Sequence, residues 1–264
     1  MADPFLIDAH CHLDEVARRG VPVTQALANA HRSGVHQVVT SGDGLLDSRE
    51  ACRLAELHEE VFFTVGWHPM NRLPPTDSEA EELRQLLSHP KAVAVGEIGL
   101  DYLERPGHLE TPRDLQREMF AMMLVMAAEL HLPAVIHLRQ AHSELLEVLD
   151  GGPSVPAMLH CFSGDQLFVA AARERGLMCS FAGNVTFRSA RELQSAIVGV
   201  PSELLLLETD APFLAPDQYR GKVNEPAMLR TTATWVAARR GECLDSLARV
   251  VTENIRQFLH LPPA

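Results

Sequence analysis

Side chains that commonly bind metal ions stand at or just after the ends of most of the predicted strands. They are His10, His12, His68, Glu97, His137, His160, Glu208 and Asp210. Histidine makes up 13 of the 264 residues, so one chosen position at each of eight strand ends would hold about 0.4 histidines by chance. At least four of these strands carry one. The pattern therefore predicts that these side chains share a chemical role.

The local spacing of these residues indicates metal binding. Residues two apart on a strand point to the same face, so we expect His10 and His12 to aim together, with Cys11 facing away. Glu208 is expected to share a face with Asp210 for the same reason. Imidazole and carboxylate ligands suit zinc, manganese or iron, and they suit magnesium if carboxylates and water dominate. Because no thiolate ligand is needed, the set favours a hydrolytic metal site over a purely structural one.

Each of these residues also has a structural interpretation. A lone H-x-H is more often structural than metal-bound, Glu97 could cap a helix, and His68 could serve a turn. However, an acidic side chain at the end of an apolar strand is costly to bury unless it is paired or metal-bound. Together with the other ligand types in order along the chain, this cost favours the metal site.

Eight short apolar runs predict the strands that position these side chains. The predicted strands are Phe5–Ala9, His36–Ser41, Val61–Gly66, Ala92–Glu97, Ala134–His137, Ala157–His160, Leu177–Phe181 and Leu204–Glu208. The predicted helices are Thr24–Ser33, Ser48–Glu59, Ser78–Leu87, Leu115–Leu130, Ser143–Leu149, Gln166–Arg175, Pro226–Arg240 and Leu244–Phe258. Strands separated by helical crossovers pair in parallel. The sequence therefore predicts an α/β fold, a single-domain TIM-type (β/α)8 barrel over residues 1–264, whose strand ends meet at one mouth.

An open, doubly wound sheet is the structural alternative. That fold usually carries a glycine-rich phosphate-binding segment after its first strand, and Asp8–His12 occupies this place instead. No low-complexity segment or linker interrupts the pattern, which favours one domain.

The composition limits the classes of protein that need to be considered. A net charge of −12 argues against a broad basic face that coats duplex DNA. The five cysteines are scattered, so we expect no disulfide framework and a reducing compartment. Met1–Pro4 shows no signal peptide, and the most apolar stretch, Met119–Ile136, is interrupted by polar residues and a proline. We therefore expect a cytoplasmic protein that does not enter the membrane.

Six segments resemble the TatD family of metal-dependent deoxyribonucleases. They are Ile7–Leu13, Gly66–Pro69, Gly96–Tyr102, His160–Gly164, Leu207–Pro212 and Arg220–Pro226. These segments run from the first strand past the eighth and are specific as a set, whereas H-x-H alone indicates only the wider amidohydrolase-like superfamily.

The resemblance implies a TIM barrel with two or three divalent ions (Mg²⁺, Mn²⁺ or Zn²⁺) that hydrolyses phosphodiesters as a 3′→5′ exonuclease on single-stranded DNA or RNA. The ligands that it assigns are His10, His12 and Asp210 for one ion and His137 and His160 for a second, with Glu97 bridging the two and His68 and Glu208 near the substrate or an additional ion. Two positions depart from the family pattern. Gln140 follows Arg139 where the family has an acidic residue, and Tyr219 precedes Arg220 where the family often has histidine.

The mechanism expected for such a centre is in-line attack on a phosphodiester by a hydroxide that the two ions share. Asp210 would act as the general base, and we also count Glu97, His68 and Glu208 as catalytic. Arg139, two residues after His137, is the first candidate for binding phosphate. The more exposed alternatives are Arg188, Arg220 and Lys222. We expect single-stranded nucleic acid as the substrate, and no obligate protein partner is evident.

Two other functions remain open from the sequence. The first is a metal-dependent ester or amide hydrolase of the amidohydrolase type, including aminoacyl-tRNA deacylation, because fold and ligands are shared across these chemistries. The second is a catalytically silent, metal-buffering barrel, which predicts a missing ligand, and none is missing. The sequence also leaves open whether a nuclease of this kind would act in DNA repair or in general nucleic-acid turnover.

Overall fold

The computed structural model describes residues 5–104 and 111–262. Met1–Pro4, on which the expectation about a signal peptide rests, lies outside those ranges. Residue contacts divide the chain into two compact units, Met1–Thr40 with His160–Ala264, and Ser41–Leu159. We call the first the terminal unit and the second the central unit. The prediction of a single domain stays a prediction.

Strands and helices alternate along the described residues. The strands are β1 (Leu6–Cys11), β2 (Val35–Thr40), β3 (Val61–Val65), β4 (Ala92–Asp101), β5 (Ala134–Arg139), β6 (Ala157–Leu159), β7 (Met178–Phe181) and β8 (Leu205–Leu207). The α-helices are α1 (Leu13–Arg18), α2 (Val23–Arg32), α3 (Leu45–Leu57), α4 (Asp77–Leu87), α5 (Arg113–Leu130), α6 (His142–Gly151), α7 (Gln166–Glu174), α8 (Arg191–Gly199), α9 (Leu229–Arg240) and α10 (Leu244–Leu259). Every strand is followed by at least one helix, which confirms the predicted α/β class and the (β/α)8 order of elements.

The terminal unit contains β1, β2, β7 and β8. Strands β1 and β2 pair in parallel, as do β7 and β8. Beyond the end of β8 the chain bonds to β1, because the Asp210 N–H donates to the His10 carbonyl at 3.0 Å and the His12 N–H donates to the Ala211 carbonyl at 2.7 Å. These bonds bring the ends of β1 and β8 side by side.

The central unit contains β3 to β6, which pair in parallel in chain order. All ten residues of β4 are buried, as expected for a parallel strand covered on both faces. This strand is longer than predicted, because Ile98–Asp101 continues to pair with Ile136–Arg139 of β5.

Several predicted boundaries differ from the observed ones. Strands β6 and β8 end at Leu159 and Leu207, so His160 and Glu208 follow their strands and are not part of them. Two helices, α1 with six residues and α8 with nine, were not predicted. None of the helices in the described ranges has the length and apolar character needed to cross a bilayer.

Candidate functional site

The predicted ligands fall into two clusters, one in each unit. The terminal cluster contains His10, His12, His160, Glu208 and Asp210, which come from the ends of β1, β6 and β8. The central cluster contains His68, Glu97 and His137, which come from β4, β5 and the loop after β3. The predicted bridging role of Glu97, and the second ion shared by His137 and His160, join members of both units and stay predictions.

The terminal cluster is arranged like a metal-binding site. The Nε2 atoms of His10 and His12 lie 3.2 Å apart, and they lie 3.9 and 3.6 Å from Asp210 Oδ1. Two imidazole nitrogens bound to one tetrahedral ion at about 2.05 Å are about 3.3 Å apart, close to the separation found here. His10, His160 and Asp210 also offer ligand atoms within 4.8 Å of one another. These donors therefore fit a divalent ion.

Glu208 lies behind His160. Its side chain is fully buried, and Oε1 accepts the Cys161 N–H at 2.7 Å and lies 3.2 Å from His160 Nδ1. A carboxylate at Nδ1 leaves Nε2 as the nitrogen available to a metal ion. Glu208 Oε2 is buried and has no hydrogen-bond partner within the described residues, which again fits a site that a cation completes.

The conformation of the Asp210 backbone was not predicted. Asp210 has a φ of 53°, so it does not continue the pleat of β8, and the expectation that it shares a strand face with Glu208 is wrong. Both carboxylates nevertheless lie next to histidines of the terminal cluster. Burial raises the pKa of Asp210, but the hydrogen bond to His12 and the charges of His160, His12 and His10 together hold it below its usual value. Asp210 is therefore ionised at neutral pH.

Asp8 connects β1 to the segment that precedes Asp210. Its carboxyl accepts the Thr209 N–H at 2.8 Å and contacts the Thr209 hydroxyl at 2.5 Å. The Thr209 hydroxyl in turn accepts the Ala211 N–H at 3.2 Å. Complete burial raises the pKa of Asp8 to about 8, although the bonds from Thr209 oppose that shift. Asp8 was not predicted as a site residue, and its place in the same H-x-H segment was the available signal.

Glu97 is the centre of the central cluster. Its Oε1 lies 2.6 Å from His137 Nδ1 and 3.3 Å from His68 Nε2, and its side chain is 3% exposed. His68 Nδ1 accepts the Met70 N–H at 3.1 Å, so the ring proton is on Nε2 when His68 is neutral. His68 therefore donates a hydrogen bond towards Glu97, whereas Glu97 and His137 offer lone pairs to a cation.

Asp101 also belongs to the central cluster, although the predicted ligand set did not include it. Its Oδ2 lies 3.4 Å from His137 Nε2, on the side of the ring opposite Glu97. Residues four apart on a strand share a face, so the position of Asp101 relative to Glu97 on β4 was a usable signal. Asp101 and Glu208 are thus comparable in the two units, since each is a buried carboxylate that faces one ring nitrogen of a histidine.

Gly66 allows Glu97 to take its position. A Cβ atom at Gly66 would lie 2.3 Å from the backbone nitrogen of Glu97 and 2.3 Å from the carbonyl carbon of Gly96. No L-residue with a side chain fits there unless the backbone that carries Glu97 moves.

The predicted phosphate-binding residues have exposed side chains. Arg139 lies at the end of β5 and is exposed. The Arg220 guanidinium lies 4.4 Å from the centre of the Phe187 ring, and Lys222 Nζ lies 5.5 Å from that of Tyr219. The phosphate-binding role of these three cations stays a prediction.

Comparisons with known proteins agree with these features. Residues 7–260 match the family described as TatD related DNase. An uncharacterized metal-dependent hydrolase TatD of Mycobacterium tuberculosis is 38% identical, over 96% of this chain and 97% of that protein. A protein of Musicola paradisiaca named 3′-5′ ssDNA/RNA exonuclease TatD is 36% identical, over 89% of this chain and 90% of its own length.

The crystal structure of the TatD homolog YjjV from Escherichia coli is similar over 99% of this chain and all of that one, with a TM-score of 0.87 and 26% identity. This similarity confirms the predicted TIM-type barrel class. The family match, the relatives and the two histidine–carboxylate clusters agree. The chain belongs to the TatD family of metal-dependent hydrolases.

Proposed function

We propose that the protein is a divalent-metal-dependent phosphodiesterase that removes nucleotides from the 3′ end of single-stranded DNA or RNA. The observation that carries the proposal is the repeated arrangement of a histidine between a buried carboxylate and a cluster of ligand atoms, seen at His160 and at His137. The Musicola relative, named for this activity at 36% identity, supports the choice of substrate.

The ions would be held by the predicted ligand set, which consists of His10, His12, Glu97, His137, His160 and Asp210. A set in which imidazoles outnumber carboxylates favours Zn²⁺ or Mn²⁺ over Mg²⁺. When bound, the ions supply Lewis acidity that stabilises charge on the phosphoryl oxygens and acidifies the attacking water. The free Oε2 of Glu208 is the donor that a third ion would use.

One residue of this chain moves a proton in the proposed reaction. Asp210, whose pKa lies below its usual value, is ionised and accepts the proton of the attacking water at its carboxylate. His68, which carries its ring proton on Nε2 when neutral, directs that proton towards Glu97 and so positions this carboxylate. Glu97 keeps the His68 ring oriented through the 3.3 Å contact.

Exposed cations bind the substrate in this proposal. Arg139 contacts phosphate, because a guanidinium offers paired donors to phosphate oxygens. In the terminal unit, Arg220 and Lys222 contact phosphate in the same way. Because Arg220 is stacked on Phe187, the pair offers both a charge and a flat surface to a nucleotide.

The test is cleavage of one single-stranded oligonucleotide labelled at either end, by protein stripped of metal and then reloaded with Mn²⁺, Mg²⁺ or Zn²⁺. Stepwise shortening from the 3′ end is expected, and Glu97→Ala is expected to abolish it. Glu81→Ala is the matched control, because it removes the same charge from an exposed position on α4.

The metal content of each preparation must be measured beside the activity. A protein that holds two ions per chain and leaves every oligonucleotide intact would contradict the nuclease proposal. The next substrates would then be carboxylic esters and aminoacyl-tRNA.

A further inference from the structure

A cleft in the terminal unit lies outside the terminal cluster. Its volume is about 680 Å³, and it is formed between one face of α9 and two 3-10 turns, Gly183–Thr186 after β7 and Asp217–Tyr219 after β8. The side chains that give it its chemistry are Arg188, Gln218, Arg230, Thr231, Thr234 and Trp235. No role has been assigned to this cleft so far.

The cleft adjoins the segment that carries Asp210. Phe213, three residues later, lies edge-on to His12 with ring centres 5.9 Å apart. The next residue, Leu214, packs against the first turn, since a Cβ atom at Gly183 would lie 2.3 Å from the Leu214 carbonyl oxygen. At the far end of this turn Thr186 accepts the Asp217 N–H at 2.7 Å and lines the cleft. The segment that follows Asp210 thus connects the terminal cluster to the edge of the cleft.

The lining suits a flexible, negatively charged chain that carries flat rings. Trp235 presents a partly exposed indole, and the side chain of Arg188 is 96% exposed. Arg188 Nε lies 4.0 Å from Asp217 Oδ2, and an exposed ion pair of this kind is weak and easily exchanged for phosphate. Phe187, the neighbour of Arg188, carries the stacked guanidinium of Arg220. Aromatic rings interleaved with arginines are the usual platform for single-stranded nucleic acid.

The charged residues of the cleft differ in balance from those of the whole chain. With a net charge of −12, the protein repels nucleic acid over most of its surface. A cleft with two arginines and one aspartate departs from that background.

We propose that this cleft binds the part of a single-stranded nucleic acid that lies 5′ of the nucleotide being removed. The inference rests on the proposed exonuclease function and names the region that holds the remaining strand. It predicts that long oligonucleotides bind more tightly than dinucleotides, without preference for base sequence.

Binding can be followed by the fluorescence of the metal-loaded protein. The chain has two tryptophans, and Trp67 is buried, with its Nε1 donating to the Leu73 carbonyl at 2.9 Å. Quenching by added ligand therefore reports mainly on Trp235. The probes are a phosphorothioate-linked dT 12-mer, which resists cleavage, and the corresponding dT dimer. We expect the 12-mer to quench the emission and the dimer to have little effect.

Three variants test the assignment by anisotropy of a labelled 12-mer. Arg188→Ala should weaken binding about 10-fold, because a hydrogen bond to a charged phosphate is lost. Asp217→Asn should tighten binding about 3-fold, because a competing charge is removed. Arg249→Ala, which removes an exposed arginine from a separate cleft beside α10, should change nothing.

The outcomes separate this inference from the proposed function. If the phosphodiester form of the 12-mer is degraded, but the phosphorothioate 12-mer binds the Arg188 and Asp217 variants as it binds the parent protein, the cleft assignment is wrong and the exonuclease proposal stands. If the phosphorothioate 12-mer quenches Trp235 and the affinities of the variants change as expected, but the phosphodiester 12-mer is never cleaved, the exonuclease proposal fails. The assignment of the cleft to nucleic-acid binding is then still supported. Absence of any binding to the 12-mer overturns the cleft assignment.

Discussion

Glu208→Gln tests whether a buried carboxylate controls metal binding through His160. Glu208 is fully buried, and its Oε1 faces both His160 Nδ1, at 3.2 Å, and the Cys161 N–H, at 2.7 Å. Glutamine keeps the shape and one acceptor oxygen, so the fold should survive. The negative charge that favours a proton on His160 Nδ1, and hence a lone pair on Nε2, is lost.

The magnitude follows from the hydrogen bonds. A bond to a charged group contributes about 1.5–3 kcal/mol, against about 0.5–1.5 kcal/mol for a neutral pair. The difference of about 1–2 kcal/mol corresponds to a roughly 5–30-fold loss of metal affinity. Substitution of residues that orient metal ligands usually costs about 10–100-fold, which overlaps this range.

The assay is a competition between the protein and a chromophoric chelator for Zn²⁺ or Mn²⁺, with urea unfolding of the metal-free protein beside it. Glu203→Gln is the matched control, because it makes the same change at an exposed position in the same unit. A Glu208→Gln protein that folds normally and binds metal as tightly as the control would refute the assigned role of Glu208. Lower unfolding stability with unchanged metal affinity would also refute it, because the carboxylate would then be purely structural.

Three further predictions follow from other contacts. Asp101→Asn should lower metal affinity about 10-fold or more, because the charge facing His137 Nε2 is removed, and the same chelator competition measures it. Gly66→Ala should destabilise the protein by about 1–3 kcal/mol or more and reduce metal-dependent activity, because the new methyl group displaces Glu97. Normal stability in urea unfolding together with normal activity would contradict the close packing of Gly66 against the backbone of Glu97. The Asp8 carboxyl has a pKa of about 8 in the folded protein, against 3.8 in the unfolded chain. Between pH 3.8 and pH 8 it is therefore ionised in the unfolded chain and protonated in the folded protein. Stability of the metal-free protein should therefore fall as pH rises through this window, by about 1.4 kcal/mol per pH unit from this group, and Asp8→Asn should remove that slope. Parallel curves of stability against pH for the two proteins would show that the Asp8 pKa is not raised.

The sequence alone determined the fold class and the set of residues proposed as metal ligands. Strand and helix periodicities are local properties, and the rule that parallel strand ends meet on one side predicts that residues far apart in sequence, such as His10 and Asp210, are neighbours. The predicted boundaries failed where periodicity is weak, as in the short helix α1 and at the end of β8.

Only the tertiary structure decided how these ligands are supported. Which ring nitrogen of His137 or His160 faces a carboxylate depends on side-chain positions from different strands, and spacing along one strand contains no such information. The left-handed backbone of Asp210 depends equally on bonds between β1 and the residues after β8. The cleft beside Trp235 forms from residues of α9 and two turns far apart in sequence, so its shape and charge arise only from packing.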